Sequence, residues 1–535
     1  MLLILTVLKE EGCDVPSSIY LFKKPNLKPK VDIVKPNLRT EGSFTYLSIL
    51  ENLRYCISHR LFSLNCKFVD LKIKIGIDGI PIFKSSPINL WPILFSIDNV
   101  GFSKPLPIAV FVGVGKPKLT DFLSKLAQEL ITLKNYVEVK SQYVKISNVT
   151  FICDAPARAF CQGTKGHAGY FSCSVCRIPG TYCHVSKKVI FPFDGTLFEN
   201  RCDDMYETGT ENNQQCLSPL ANVVSLQKSF PPEYQHSVCL GVVRRLLASY
   251  LSNTHGLLNC RLSGSMKIKL DQRVKRFSNS LPREFQRKIR PFNEFSYFKA
   301  TEFRTTLLYT GPLFFKNILS DCYYKHFCLL HFAVYVFVSP SHGHVYENAQ
   351  FCIQQFVLQL KDLFGSSSCT FNSHSLLHLY DFVKQLGPLD NFSAFKFENY
   401  LHLLKKRIKS GSFVVQQTIN SMIDIRHMYR DCAVNPLHVS STYPNNCVIV
   451  NNNSRLVPIL VSSVNESNNL LLSGVELKFV DDVYEYPYPS RTLGIGKYMM
   501  SDTILLDVHF VNKCVLFIDC DNYYVFPYAN GSVTF

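Results

Sequence analysis

The chain has 535 residues, 47% of them hydrophobic and 13% aromatic, enough apolar material for sizeable cores, which excludes an intrinsically disordered protein. Its 57 Lys and Arg against 41 Asp and Glu give a formal net charge of +16, a balance that favours a polyanionic partner. The 20 cysteines follow no secretory signal: Met1 to Leu8 is apolar but short and lacks a basic flank, so reduced thiols or metal ligands of a soluble, intracellular protein are expected.

Residues 1–66 form a pre-core region of short helical patterns and basic loops, such as Lys23 to Lys30, where the prolines forbid one continuous element. From 67 to 160 the texture is α/β. Leu71 to Asp78 alternates as a half-buried strand, and Leu90–Ile97 and Leu106–Val114 are apolar runs of strand length. Leu119–Leu133 has helical spacing, with Thr120 or a nearby polar residue as its cap, and Val149–Cys153 is a buried-type strand ending on Asp154. Residues 161–192 are a compact Cys/His segment. Residues 193–390 are a polar loop followed by mainly helical sequence, and 391–435 hold a further helix over Phe397–Ile408. From 436 to 535, apolar segments separated by Asn, Ser, Pro and Gly predict a small all-β module. The apolar run His326–Val338 is far below the ~20 residues needed to cross a bilayer, so no membrane is expected as partner.

Asp78 and Asp154 both fall at the C-terminal ends of strands, the edge where α/β sheets expose their functional groups. Phosphodiester cleavage needs an activated oxygen nucleophile and a stabilised leaving oxygen, which two divalent cations held by carboxylates supply. Each aspartate alone also reads as a helix cap, and Asp154-Ala155-Pro156 in particular has the look of an N-cap with proline in the first turn.

Several ordered strings carry a resemblance. Ile77 to Ser86 followed by Leu90-Trp91-Pro92-Ile93, Phe151 to Phe160, Gly166-His167 through Cys173 to Cys176, Lys299 to Arg304, His374 to His378, Gly387-Pro388 and Phe397-Glu398-Asn399-Tyr400 resemble the catalytic blocks of CACTA-type (En/Spm-like) DNA transposases, the animal members especially. The match runs with gaps from about Leu3 to the C-terminal module. It implies a cut-and-paste, DDE-type enzyme with an RNase H-like α/β core interrupted by a large helical insertion. On that mapping Asp78, Asp154 and Glu398 are the catalytic, Mg²⁺- or Mn²⁺-binding acids, with Glu302 as rival for the third place. Glu233 and His236 fall where relatives carry an acid or cysteine, two residues, then histidine; Glu replaces the usual Asp, and the pair is expected to support the active site or DNA contacts.

Cys173-Ser174-Val175-Cys176 is a single zinc knuckle that needs two more ligands, and His167 and His184 are the nearest histidine candidates, with Cys161 and Cys183 as further options. A complete set would be structural. His374 and His378, four apart on a helix, could also bind metal. They lack a third ligand nearby, so a packed or polar helix face is expected there.

Lys267, Lys269, Arg273, Lys275, Arg276, Arg283, Arg287, Lys288 and Arg290 crowd one stretch with few acids among them, and Lys405, Lys406, Arg407 and Lys409 follow Glu398. Such clusters suit salt-dependent, sequence-independent contact with phosphates of double-stranded DNA. Relatives often carry a recognition module ahead of the core, and this chain starts within the pre-core region. The resemblance further implies a nuclear protein of a transposable element and a homo-oligomer, although no interface is legible. Two readings remain open: an active transposase, or a catalytically inactive, domesticated descendant that binds DNA or chromatin.

Overall fold

The computed structural model describes residues 32–34, 42–62, 66–83, 86–252, 260–429, 438–453, 455–465 and 471–529. They fall into two compact units, each assembled from separate stretches of chain: 1–71, 79–147 and 399–432 in the first; 72–78, 148–398 and 433–535 in the second. Most of the expected pre-core region therefore lies outside the described residues.

The first unit is built on a mixed sheet. Its strands among the described residues are β1 (Asp32–Val34), β2 (Gly42–Tyr46), β3 (Phe68–Ile77), β4 (Ile80–Pro81), β5 (Ile88–Ile97), β6 (Leu106–Val114), β7 (Val137–Val139) and β8 (Gln142–Ile152). The order across the sheet is β1-β2-β6-β5-β3-β8-β7, with β4 beside β5. β5 and β6 are antiparallel, and both are buried almost end to end, as expected of continuous Ile, Leu, Val and Phe runs covered on both faces. β3 and β8 run in the same direction. Tyr143 N–H donates to the Lys67 carbonyl (2.7 Å) and Ser147 Oγ to the Leu71 carbonyl (3.3 Å), and the residue offset is the same at both. These two strands begin in the first unit and end in the second, at Asp78 and Asp154.

Helix α1 (Ile49–Ser58) and helix α2 (Leu119–Leu133) belong to this unit. α2 buries Phe122, Leu123, Leu126, Ala127, Leu130 and Leu133, the apolar stripe that its spacing predicts. Thr120 does not cap it: the cap position is Lys118, with no side-chain bond to the first turn. Glu129 of α2 instead caps α1, accepting from Ser48 Oγ (2.5 Å) and from the N–H groups of Ile49 and Leu50 (both 2.9 Å).

In the second unit α3 (Ala155–Gln162) follows β8, and a π-helical stretch, Gln235–Val243, runs into α4 (Arg244–Leu251). Further on come α5 (Gly264–Phe277), the hairpin of α6 (Asp321–Val338) and α7 (Tyr346–Phe364), the short helices α8 (Phe371–Ser375) and α9 (Leu379–Leu386), and the start of α10 (Phe395–Arg407). α6 is apolar all round and buried from Phe327 to Val338. Its His326 and His331 bond the Phe356 and Leu307 carbonyls at 2.9 and 2.7 Å. Among the described residues, no helix is long and apolar enough to cross a membrane.

The predicted C-terminal β module is present as five antiparallel strands: β11 (Cys447–Asn452), β12 (Arg455–Asn465), β13 (Leu471–Asp481), β14 (Gly496–Asp519) and β15 (Asn522–Pro527). β11 pairs with both β12 and β14, so the sheet curls back on itself around Val448, Val450, Ile459 and Leu472. It is joined to the helical part of its unit by Tyr335 Oη donating to the Pro527 carbonyl (2.6 Å) and by buried Lys513 paired with Glu284 (2.7 Å). The architecture is mixed α/β with a helical segment and a terminal β module.

Candidate active site and metal centre

The second unit contains all three sequence-predicted acids. Asp78 follows β3 directly. Asp154 caps α3, its Oδ1 accepting from Ala157 N–H (2.7 Å), so the capping role read from Asp154-Ala155-Pro156 is real and leaves the second oxygen for other work. The Cys153 thiol, just past the end of β8, is bonded by the backbone of Ile77, the last residue of β3; Asp154 and Asp78 are the residues that follow them.

Glu398 sits in the first turn of α10, half-buried. The helix is docked through its neighbour Phe397, whose ring lies so close to Gly76 of β3 that a Cβ there would meet it at 2.5 Å. Glycine two residues before Asp78 is what admits the helix. The rival acid Glu302 is spent elsewhere. It is buried, accepts from Arg290 Nε (2.6 Å) and Nη2 (2.9 Å), and caps its own short helix through Lys299 N–H (2.8 Å). Two residues on, Arg304 pairs with Asp390 at 2.8 Å and ties that helix to the turn that leads into α10.

Glu233 and His236 form the link to Glu398. The Glu233 side chain is 1% exposed and accepts from the N–H groups of Gln235 (2.7 Å), His236 (2.7 Å) and Ala394 (2.6 Å) and from His236 Nδ1 (2.7 Å). It therefore fixes the residue just ahead of α10. The far nitrogen of the same imidazole, Nε2, lies 3.5 Å from Glu398 Oε1. Burial works against charging the ring, but the bonds to Glu233 and Glu398 outweigh it and push the His236 pKa up to about 11. His236 is thus a cationic bracket between one buried and one half-exposed carboxylate. The π-helical stretch that carries it is seated by Gly241, where a Cβ would meet Asn372 of α8 at 2.9 Å or less.

Asp78, Asp154 and Glu398 do not themselves form a tight cluster. Among the described residues, the groups of three or more His, Cys, Asp or Glu with all ligand atoms within 4.8 Å are Cys173, Cys176, His374, His378 and Asp481, Asp482, Glu485. The second of those groups is already committed, because Asp482 accepts from Arg491 N–H (2.6 Å) and Nε (2.5 Å) and from Ser490 Oγ (3.1 Å).

The metal-type centre corrects the expected ligand set. Cys173 and Cys176 are joined by His374 and His378, not by His167 and His184. His167 is exposed beside Phe371, and His184 is exposed against Tyr182 in the small hairpin of β9 (Thr181–Cys183) and β10 (Lys188–Ile190). Cys161 and Cys183 are also outside the cluster. Cys173 Sγ lies 3.4 Å from His378 Nε2, Cys176 Sγ 3.3 Å from His374 Nε2, and the two Nε2 atoms are 3.2 Å apart. These three edges fall within a few tenths of an ångström of the ~3.6 Å S···N and ~3.3 Å N···N edges of a tetrahedral Cys2His2 metal site, so the four side chains form a set able to hold a metal ion.

The surroundings favour a thiolate. Burial alone would raise the Cys173 thiol, yet the bond from Cys176 and the imidazoles of His378 and His374 hold it well below its usual range. The N–H groups of Val175 (3.4 Å) and Cys176 (3.5 Å) also point at its sulfur. The loop is locked behind by buried Arg201, which donates to the Cys173 carbonyl (2.6 Å) and pairs with buried Glu211 (2.7 Å). Sequence reasoning had each half of the set and rejected the second, because the halves are about 200 residues apart.

The expected phosphate-binding residues divide. Arg273 is spent on the carbonyls of Leu313, Phe314 and Lys316, Arg276 on Asp519 (2.8 Å), Arg290 on Glu302, and Lys267 on the Leu251 carbonyl (2.8 Å). Lys269, Lys275, Arg283, Arg287 and Lys288 remain exposed, with Tyr297 among them 72% exposed. Of the second group, Lys405 donates to the Pro81 carbonyl (2.6 Å), Arg407 turns towards Asp424 (3.4 Å), and Lys406 and Lys409 are exposed. In sequence comparison the chain matches no family model and no curated protein.

Proposed function

We propose that the chain is a DDE-type, metal-dependent DNA transposase or the descendant of one, with an RNase H-like core. The observation that carries this reading is the docking of Glu398's helix on Gly76, at the end of the strand that terminates in Asp78 and beside the strand that terminates in Asp154. The order β6-β5-β3-β8, with β8 parallel to β3, supports the core assignment, because the strands that lead into Asp78 and Asp154 are neighbours in the sheet.

The three carboxylates are hard oxygen donors that suit Mg²⁺ or Mn²⁺, and such cations supply activation of the attacking oxygen and charge stabilisation of the leaving oxygen when bound. The chain's own residues do the positioning. Asp154 is held by its cap bond, Glu398 by Phe397 and by the His236 bracket, and His236 by Glu233. The exposed cations Lys269, Lys275, Arg283, Arg287 and Lys288 offer phosphates of duplex DNA a sequence-independent surface. The Cys173, Cys176, His374, His378 centre takes zinc as a staple: all four positions are filled by protein, so no open site remains for chemistry.

The test is nicking of supercoiled DNA in Mg²⁺ by the full chain and by Asp154→Asn. The reading expects the variant to lose cleavage while binding DNA with unchanged salt dependence; retained cleavage would defeat it. One observation favours the inactive, DNA-binding alternative: Glu398 already has a cationic neighbour in His236. On that alternative the wild type also fails to nick while still binding DNA.

A further inference from the structure

We propose that Phe413 is a stacking finger for an unpaired DNA base; this rests on the reading of the chain as acting on DNA. The residue lies in the loop between α10 and α11 (Val414–Met428), within the first unit. Two features set it apart. Its ring is 85% exposed, and its backbone is left-handed, with φ 52° and ψ 37°. A left-handed backbone is unfavourable for a bulky non-glycine residue, and the exposed ring forgoes burial. Gly or Asn would suit the backbone better, and neither would present an aromatic face.

The loop is held from within chiefly by Gln417, with Ser410 Oγ donating to the Ser412 carbonyl (3.3 Å). Gln417 Oε1 accepts from Lys409 N–H (2.9 Å), and Nε2 donates to the Ser410 carbonyl (3.1 Å), Ser410 Oγ (3.0 Å) and the Ser412 carbonyl (2.6 Å). The Phe413 carbonyl accepts Gln417 N–H (3.0 Å) and begins the helix. The ring is therefore presented on a fixed mount, not on a slack tip. Exposed Lys406 and Lys409 precede it, and neither pairs with an acidic side chain among the described residues. Cations a few residues ahead of an exposed aromatic, on the same loop and the end of the preceding helix, are the combination that binds unstacked nucleotides, and a ring with no polar atom takes any base. A strand break, where a base can leave the stack cheaply, is the fitting substrate.

The experiment uses the full chain and a nicked duplex carrying one unpaired 5-iodo-deoxyuridine at the nick, whose photochemistry links it to a stacked ring. Mass spectrometry should place the cross-link on Phe413. Phe413→Leu, which keeps apolar bulk without the aromatic face, should abolish the cross-link and weaken binding to this DNA by roughly tenfold, with less than about twofold change on intact duplex. Phe413→Trp should retain both. Binding to nicked DNA with no cross-link at Phe413 and no loss in the Leu variant would overturn the finger while leaving the DNA reading intact. A chain that binds neither DNA would overturn both, and a variant that loses only self-association would assign the ring to a protein contact instead.

Discussion

Phe397 lies against Gly76 so closely that only hydrogen fits between its ring and the strand, a Cβ at that position meeting the ring at 2.5 Å. The contact fixes where α10 begins relative to the end of β3, and hence where Glu398 stands relative to Asp78. Gly76→Ala should push the helix off the strand, costing about 1–3 kcal/mol of stability and reducing cleavage more than the stability loss alone explains. Chemical denaturation alongside a nicking assay measures both. A Gly76→Ala protein of unchanged stability would mean that the helix yields freely.

His236 spans Glu233 and Glu398, and its role is positioning. His236→Ala should leave the fold in place and lower the nicking rate by roughly 10- to 100-fold, the usual effect of removing a residue that orients a metal ligand, with DNA affinity unchanged. Equal rates in mutant and wild type would reduce the bracket to a surface ion pair.

The Cys173, Cys176, His374, His378 centre should bring one zinc per chain through purification, measured by elemental analysis. Cys176→Ser or His374→Ala should lose it and lower the Tm by more than about 5 °C, because the site joins the loop after α3 to α8, and α8 in turn seats the helix of His236 at Gly241. Metal-free protein of wild-type stability would contradict the staple.

The buried histidines of α6 set a pH dependence. Burial pulls His326 and His331 from the ordinary 6.5 down to about 4, only partly offset by their carbonyl bonds. Between those values the unfolded chain binds more protons than the folded one, so stability is full above pH 6.5 and falls as pH drops towards 4. The slope is at most roughly 1.4 kcal/mol per pH unit for each ring. Urea midpoints from pH 7 to 4.5 should fall accordingly, and more gently in a His326→Gln/His331→Gln variant.

Local pattern carried far in this chain. The apolar runs ending at Asp78 and Asp154 marked two strand ends, the stripe from Phe122 to Leu133 marked α2, and the segmented C-terminus marked the β module. What sequence could not supply was long-range partnership. His374 and His378 read as a packed helix face because the sulfurs that complete their set lie some 200 residues earlier. Arg273 and Arg276 read as phosphate binders because nothing nearby shows that carbonyls of Leu313 to Lys316 and the carboxylate of Asp519 claim them. Phe413 passed unnoticed, since neither exposure nor a left-handed backbone is written in residue type.

The central claim is that Asp78 and Asp154 bind the cations of a phosphodiester-cleaving site. It is tested most directly by Asp154→Cys with its zinc centre intact. Thiolate is a poor ligand for Mg²⁺ and a better one for the softer Mn²⁺, so the variant should be inactive in nicking supercoiled DNA with Mg²⁺ and regain activity with Mn²⁺. Wild-type nicking in Mg²⁺, or inactivity with both ions in a folded, DNA-binding protein, would contradict the account.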